Sequence, residues 1–143
     1  MTRPDFPPIV RLARALSITT QLYQSRMSQL LAPHDLTVAQ FGVLNHLSRL
    51  GEEGQSVGDI AAAVEVNQPA VTKMVQKFDR LGWLARTGRR LRLSAAGQAA
   101  LGAVQRDLGP DFGRAFAGWS DDEQATLTTL LERLARHYDA NRL

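Results

Sequence analysis

The sequence contains no cysteine in its 143 residues. That absence excludes a disulfide framework, thiolate metal sites, a cysteine nucleophile and a thiol redox sensor. It suits a reducing cytoplasm, which is the expected location. No apolar run approaches the roughly 20 residues needed to span a bilayer, so no membrane partner is expected. The start, Met1-Thr2-Arg3-Pro4-Asp5, has no basic stretch leading into a continuous apolar one, so no secretory leader is read there. Catalytic signatures are missing as well: there is no Gly-rich phosphate loop, no Gly-x-Ser-x-Gly and no His-Glu-x-x-His. His34, His46 and His137 show no pairing at helical spacing, so no zinc site is read. Asp121, Asp122 and Glu123 cluster, but at the start of a predicted helix, where acids favour the macrodipole. No enzymatic activity, metal or cofactor is expected.

Hydrophobic residues make up 44% and charged residues 22%, which allows a packed core and argues against wholesale disorder. The net charge of +3 conceals a sharp asymmetry. Between residues 73 and 92 lie Lys73, Lys77, Arg80, Arg86, Arg89, Arg90 and Arg92 against one acid, Asp79, while the rest of the chain is net negative. A concentrated basic segment on a near-neutral body is what phosphate-backbone binding needs. It is equally what an ordinary solvated face looks like, so the surrounding pattern must decide.

Apolar residues at Ile9, Leu12, Leu16, Tyr23, Met27, Leu30 and Leu31 recur near the helical period of about 3.6 and predict a first helix. Pro7 and Pro8 suit its entry, and Pro33 stops it. Thr37 and Gln40 form a capping box for a second helix bearing Phe41, Val43, Leu44 and Leu47. After the loop Gly51-Glu52-Glu53-Gly54 and a short extended stretch from Gln55, a third, short helix carries Ile60, Ala61 and Val64. Asn67 caps a fourth helix whose buried stripe is Val71, Met74, Val75, Phe78 and Leu81, with Gly82 at its end. Trp83 to Arg86 and Arg90 to Leu93 read as a β-hairpin. Ser94 opens a fifth helix to about Leu108, interrupted at Gly109-Pro110 by a break or kink, with helical pattern resuming through Phe112, Phe116 and Trp119. Ser120 and Glu123 form a second capping box for the last helix, with Leu127, Leu130, Leu131, Leu134 and Tyr138 on one face.

The centre of this order is a winged helix-turn-helix: a short helix, a turn, a helix aimed at the DNA major groove, then a basic hairpin beside it. On the fourth helix Pro69, Thr72, Lys73 and Gln76 share one face, with Asn67 and Gln68 at its start. Gln68, Thr72 and Lys73 sit early enough to approach base edges; glutamine pairs bidentately with adenine, and threonine offers a hydroxyl or a methyl. Lys77 and Arg80 lie farther along and are expected at phosphates, and Arg89, Arg90 and Arg92 of the hairpin at the backbone or minor groove.

The ordered set resembles the MarR family of bacterial transcriptional regulators. It comprises Leu36-Thr37-Val38-Ala39-Gln40-Phe41-Gly42-Val43-Leu44, then Asp59-Ile60-Ala61 and Asn67-Gln68-Pro69-Ala70-Val71-Thr72-Lys73-Met74-Val75. Phe78-Asp79-Arg80-Leu81-Gly82-Trp83-Leu84-Ala85-Arg86 and Leu93-Ser94-Ala95-Ala96-Gly97 follow. No single motif decides it, but the pattern covers nearly the whole chain. The resemblance implies a mainly α fold with a winged helix-turn-helix, terminal dimerisation helices and one small β-hairpin wing. It implies a homodimer in which residues 1–34 and 95–143 pack against a second subunit and residues 35–94 form the DNA-binding lobe. Two-fold symmetry then predicts a pseudo-palindromic operator on double-stranded DNA, with half-sites about 34–36 Å apart.

The expected function is sequence-specific transcriptional regulation, a repressor released by a small-molecule effector; the alternative is a DNA-binding or architectural protein that senses nothing. Such relatives often bind small aromatic or phenolic acids between the dimer helices and the lobe. The residues here in reach of that role are Thr20, Tyr23, Phe41, Asn45 and His46, with Arg14 or Arg26 as carboxylate partners, although each also reads as ordinary packing or surface. The chain departs from the family at the wing. Relatives carry a longer loop with an acid two residues before an arginine, whereas here only Thr87-Gly88-Arg89 joins the strands. Either the wing is truly short or residues of a mobile tip are missing after Gly88; the abrupt step from Gly88 to Arg89 favours the second, and the family's loop-stabilising ion pair does not carry over.

Overall fold

A computed structural model describes residues 5–142. Six helices and one two-stranded antiparallel sheet are present among them. Helix α1 spans Pro8–Leu31, a 3-10 turn follows over Ala32–His34, and α2 spans Val38–Arg49. Helices α3 (Val57–Val64) and α4 (Gln68–Arg80) come next, then β1 (Leu84–Thr87), β2 (Arg90–Leu93), α5 (Ala95–Ala115) and α6 (Asp121–Ala140). The mainly helical winged-helix architecture is therefore as expected. No helix among the described residues is long and apolar enough to cross a membrane.

Local chemistry explains most of the boundaries. Pro8 occupies the first position of α1, where a missing N–H costs nothing. Both expected capping boxes form: the Thr37 hydroxyl accepts from the Gln40 N–H (3.1 Å) while Gln40 Oε1 accepts from the Thr37 N–H (3.1 Å). Ser120 and Glu123 repeat the arrangement at α6. Asn67 Oδ1 accepts from the Ala70 N–H (2.9 Å) at the start of α4. Ser56, which the pattern does not single out, caps α3 through the Asp59 N–H. Each cap satisfies an amide that the first helical turn leaves without a partner.

The chain divides into two compact units at Gln105/Arg106. In the first, the core runs from Met27 and Leu31 of α1 through Val43, Leu44 and Leu47 of α2 and Ile60 of α3. It continues through Val71, Val75 and Phe78 of α4 to Leu91 and Leu93 of β2, then Leu101 and Val104 of α5. Phe78 is fully buried and its ring stacks on Trp83 at a centroid distance of 5.8 Å. Leu81 departs from the expected buried stripe: it is 47% exposed, because it lies past the last turn of α4 where the chain leaves toward the wing. In the second unit α6 has no buried residue among those described.

Of the break or kink expected at Gly109-Pro110, the break does not occur: α5 continues through it to Ala115. Proline removes one N–H and clashes with the preceding residue's Cβ. Here that preceding residue is Gly109, which has no Cβ, and Arg106, whose carbonyl loses its partner, is exposed to water. Both costs of the proline are thereby reduced.

Candidate nucleic-acid interface

Helices α3 and α4 form the helix-turn-helix, joined through Glu65, Val66 and Asn67. Glu65 takes a left-handed conformation (φ 55°) and its N–H returns to the Ala61 carbonyl, which ends α3 sharply enough for α4 to start three residues later. With Val71, Val75 and Phe78 turned into the core, the other face of α4 presents Gln68, Pro69, Thr72, Lys73 and Gln76, all exposed. The Thr72 hydroxyl donates to the Gln68 carbonyl (3.0 Å), so its lone pairs and methyl group are what remain to offer outward.

The wing is short and closed. Leu84 pairs with Leu93 and Thr87 with Arg90, which leaves Gly88-Arg89 as a two-residue turn. Gly88 has φ 63° and Arg89 lies outside the left-handed region, the pattern of a type II′ turn. The join that reads as a truncated loop is thus a complete tight hairpin, and glycine at the first central position makes it so. The strand alternation holds: Leu91 and Leu93 are buried, while Arg90 and Arg92 occupy the other face. A third segment supports the hairpin. Gln55 exchanges both backbone hydrogen bonds with Leu91 (3.0 and 2.7 Å), and His46 Nε2 donates to Gln55 Oε1 (2.7 Å). At the base of the wing, the Ser94 hydroxyl donates to the Gly82 carbonyl (2.7 Å) and accepts from the Gly97 N–H (3.1 Å).

The basic segment is not uniformly available. Asp79, its one acid, pairs with Arg86, which joins α4 to β1. Lys77 is drawn onto the entry of α2: its ammonium donates to the Asp35 carbonyl and to Gln40 Oε1 (3.0 Å) and lies 3.6 Å from the Asp35 carboxylate. Lys73, Arg80, Arg89, Arg90 and Arg92 have no ion-pair partner among the described residues. Five cations therefore remain for an outside anion, two on α4 and three on the wing.

A separate cleft of about 1120 Å³ lies between α1, the first turns of α2 and the end of α3. Ser17, Thr20, Gln21, Gln24, Ser25 and Ser28 of α1 line it, with Leu16, and opposite them stand Val38, Ala39, Gly42, Val64 and Val66. Of the five residues expected to contact an effector, only Thr20 is in this lining. Phe41 and Asn45 are half-buried on α2, with Asn45 Oδ1 accepting from Gln105 Nε2 (3.2 Å), and His46 is committed to Gln55. Tyr23 is 49% exposed and outside the lining. Arg26 is outside it too, and Arg14 lies over the Phe6 ring (4.7 Å to the centroid). The α1 residues of the lining had a signal: Ser17, Gln21, Gln24 and Ser28 recur at helical spacing as an uncharged polar stripe.

Comparison with known proteins agrees with this geometry. Residues 34–91 match the model of the MarR family. A MarR family protein from Bacillus stearothermophilus superposes with a TM-score of 0.76 at 22% identity, covering 90% of this chain and 94% of that one. The Mycobacterium tuberculosis MarR family protein Rv2887, solved in complex with DNA, gives a TM-score of 0.70 at 25% identity over 91% of this chain and 98% of that one. MepR of S. aureus, also solved with DNA, gives 0.67 at 18% identity over 87% and 94%. No curated protein matches the chain. The helix-turn-helix and most of the wing thus match the MarR family model, and the fold is shared with MarR family structures over about nine-tenths of the chain.

Proposed function

We propose that the chain is a homodimeric regulator of transcription that binds a pseudo-palindromic site on double-stranded DNA in the cytoplasm, as a repressor released by a small molecule. The observation that carries the DNA reading is the exposed face of α4, with Thr72, Lys73 and Gln76 on it, together with five cations of α4 and the wing that have no acid partner among the described residues. Phosphate contacts supply affinity and position; the helix face supplies base discrimination. The relatives solved on DNA, Rv2887 and MepR, support the same use of the lobe. Residues 35–94 act as that lobe.

Apolar surface supports the dimer. On α1, Ile9 (69%), Leu12 (62%) and Leu22 (65%) are exposed, and on α6 so are Leu130, Leu131 and Tyr138. Large apolar side chains left exposed along each of these helices mark association surfaces. The segments 1–34 and 95–143 serve that association. The effector occupies the α1–α2 cleft, where hydroxyl and amide groups with no charged side chain suit the hydroxyl of a small aromatic or phenolic compound. It acts by binding one arrangement of the two lobes more tightly than the other.

The test is binding to duplex DNA from the chain's own promoter region against a scrambled duplex at two salt concentrations. Preferential, salt-sensitive binding by two subunits per site is expected. Equal affinity for both duplexes would instead indicate an architectural protein, and no binding at low salt would refute the DNA reading. A thermal-shift screen of phenolic compounds tests the release mechanism; a regulator without an effector gives no shift.

A further inference from the structure

Lys77 stands out among the basic residues of the recognition helix. Its side chain is only 19% exposed, and its ammonium group is used inside the molecule. An ammonium has three donors. One goes to the Asp35 carbonyl and one to Gln40 Oε1 at 3.0 Å, and the Asp35 carboxylate lies 3.6 Å away. Lys73, one turn earlier, and Arg80, one turn later, have no ion-pair partner among the described residues. The acceptors are equally specific. Asp35 holds a left-handed conformation (φ 55°) at the corner before α2, and Gln40 is the residue that closes the α2 capping box. Gln40 Oε1 thus accepts from both the Thr37 N–H and Lys77, filling both lone pairs. A cation near the positive end of the α2 dipole is unfavourable in itself. It is held there by three oxygens, and so it fixes the rotation of α4 about its own axis relative to α2. That rotation decides where Thr72, Lys73 and Gln76 point.

We infer that Lys77 is a positioning residue that braces the recognition helix against the entry of α2 and makes no phosphate contact. The inference rests on the DNA-binding reading given above. Four variants test it: Lys77→Met keeps the stem and removes the charge; Gln40→Ala removes the acceptor together with the cap; Thr37→Ala weakens the cap alone; and Lys77→Met/Gln40→Ala combines the first two. Operator affinity, scrambled-duplex affinity, salt slope and thermal unfolding are measured for each. Lys77→Met and Gln40→Ala are each expected to reduce the operator-to-scrambled ratio by about tenfold, with the double variant losing no more than the worse single one. The salt slope should match the wild type in both, since a phosphate contact contributes about 0.9 to it and a brace contributes nothing. Thr37→Ala should leave the ratio intact. A flattened slope in Lys77→Met, with Gln40→Ala discriminating like the wild type, would overturn the inference and return Lys77 to the phosphate-binding set. If the wild type binds no duplex, the DNA reading has failed, and the brace is judged on unfolding alone. Sub-additive losses for Lys77→Met with Gln40→Ala then support it, and additive losses refute it.

Discussion

Arg90→Ala isolates the electrostatic contribution of the wing. Arg90 opens β2 opposite Thr87, is exposed, and has no ion-pair partner among the described residues. Its neighbours Leu91 and Leu93 anchor the strand in the core, so truncation removes a charge without removing packing. Each phosphate neutralised contributes about 0.9 to the slope of log affinity against log salt. The proposed dimer would lose two such contacts, flattening the slope by about 1.8. Between 50 and 200 mM salt, the wild type should lose about 12-fold more affinity than the variant. Fluorescence anisotropy with operator and scrambled duplexes at four salt concentrations measures this directly. Both duplexes should be affected alike, because a phosphate contact carries no sequence information. Unchanged affinity and slope would refute the wing assignment, and a loss confined to the operator would make Arg90 a base reader.

Further expectations concern specificity and stability. Thr72→Ala or Gln68→Ala should change base preference by about 1–3 kcal/mol at the contacted position; selection from a randomised operator pool measures it, and an unaltered profile removes both residues from the reading face. Gly97→Ala places a Cβ 2.3 Å from the Trp83 carbonyl oxygen and 3.2 Å from Leu93 Cδ2, so α5 must shift from the base of the wing. A loss of about 1–3 kcal/mol is expected, and a wild-type unfolding midpoint would contradict it. The Glu123 carboxylate lies below the usual carboxylate range because the Ser120 N–H and hydroxyl hydrogen-bond to it. A depressed folded-state pKa means that its contribution to stability is present at neutral pH and is lost as pH falls through that lowered value. Glu123→Gln retains a capping box and should abolish this component of acid sensitivity in α6, as read by helicity between pH 6 and pH 3.

Elements whose cause is local were legible in the sequence. The caps at Thr37, Asn67 and Ser120 depend on a side chain and an amide three residues apart, and they form where the pattern places them. The wing is legible because Leu91 and Leu93 alternate with Arg90 and Arg92. Gly109-Pro110 misleads because the usual cost of a helical proline assumes a bulky neighbour and a carbonyl that water cannot reach. Leu81 misleads because periodicity continues past the point where the helix has ended. The wing turn reads as a truncation only against a longer family loop, whereas two residues with glycine first are sufficient to close a hairpin.

The sequence by itself determined the order of elements, their caps, the polar face of α4 and the concentration of positive charge in one segment. Each of these follows from neighbours within a turn or two, where spacing and residue type suffice. Tertiary structure alone decided which cations are available. Lys77 is separated from Asp35 by 42 residues and from Gln40 by 37, so only the packing of α4 on α2 brings them together. The same holds for Gln55 with Leu91, and for the cleft in which Thr20 of α1 meets Val66 of the helix-turn-helix. Spacing along the chain carries no information about such pairs, because they are made by the core that draws distant segments together rather than by the residues beside them.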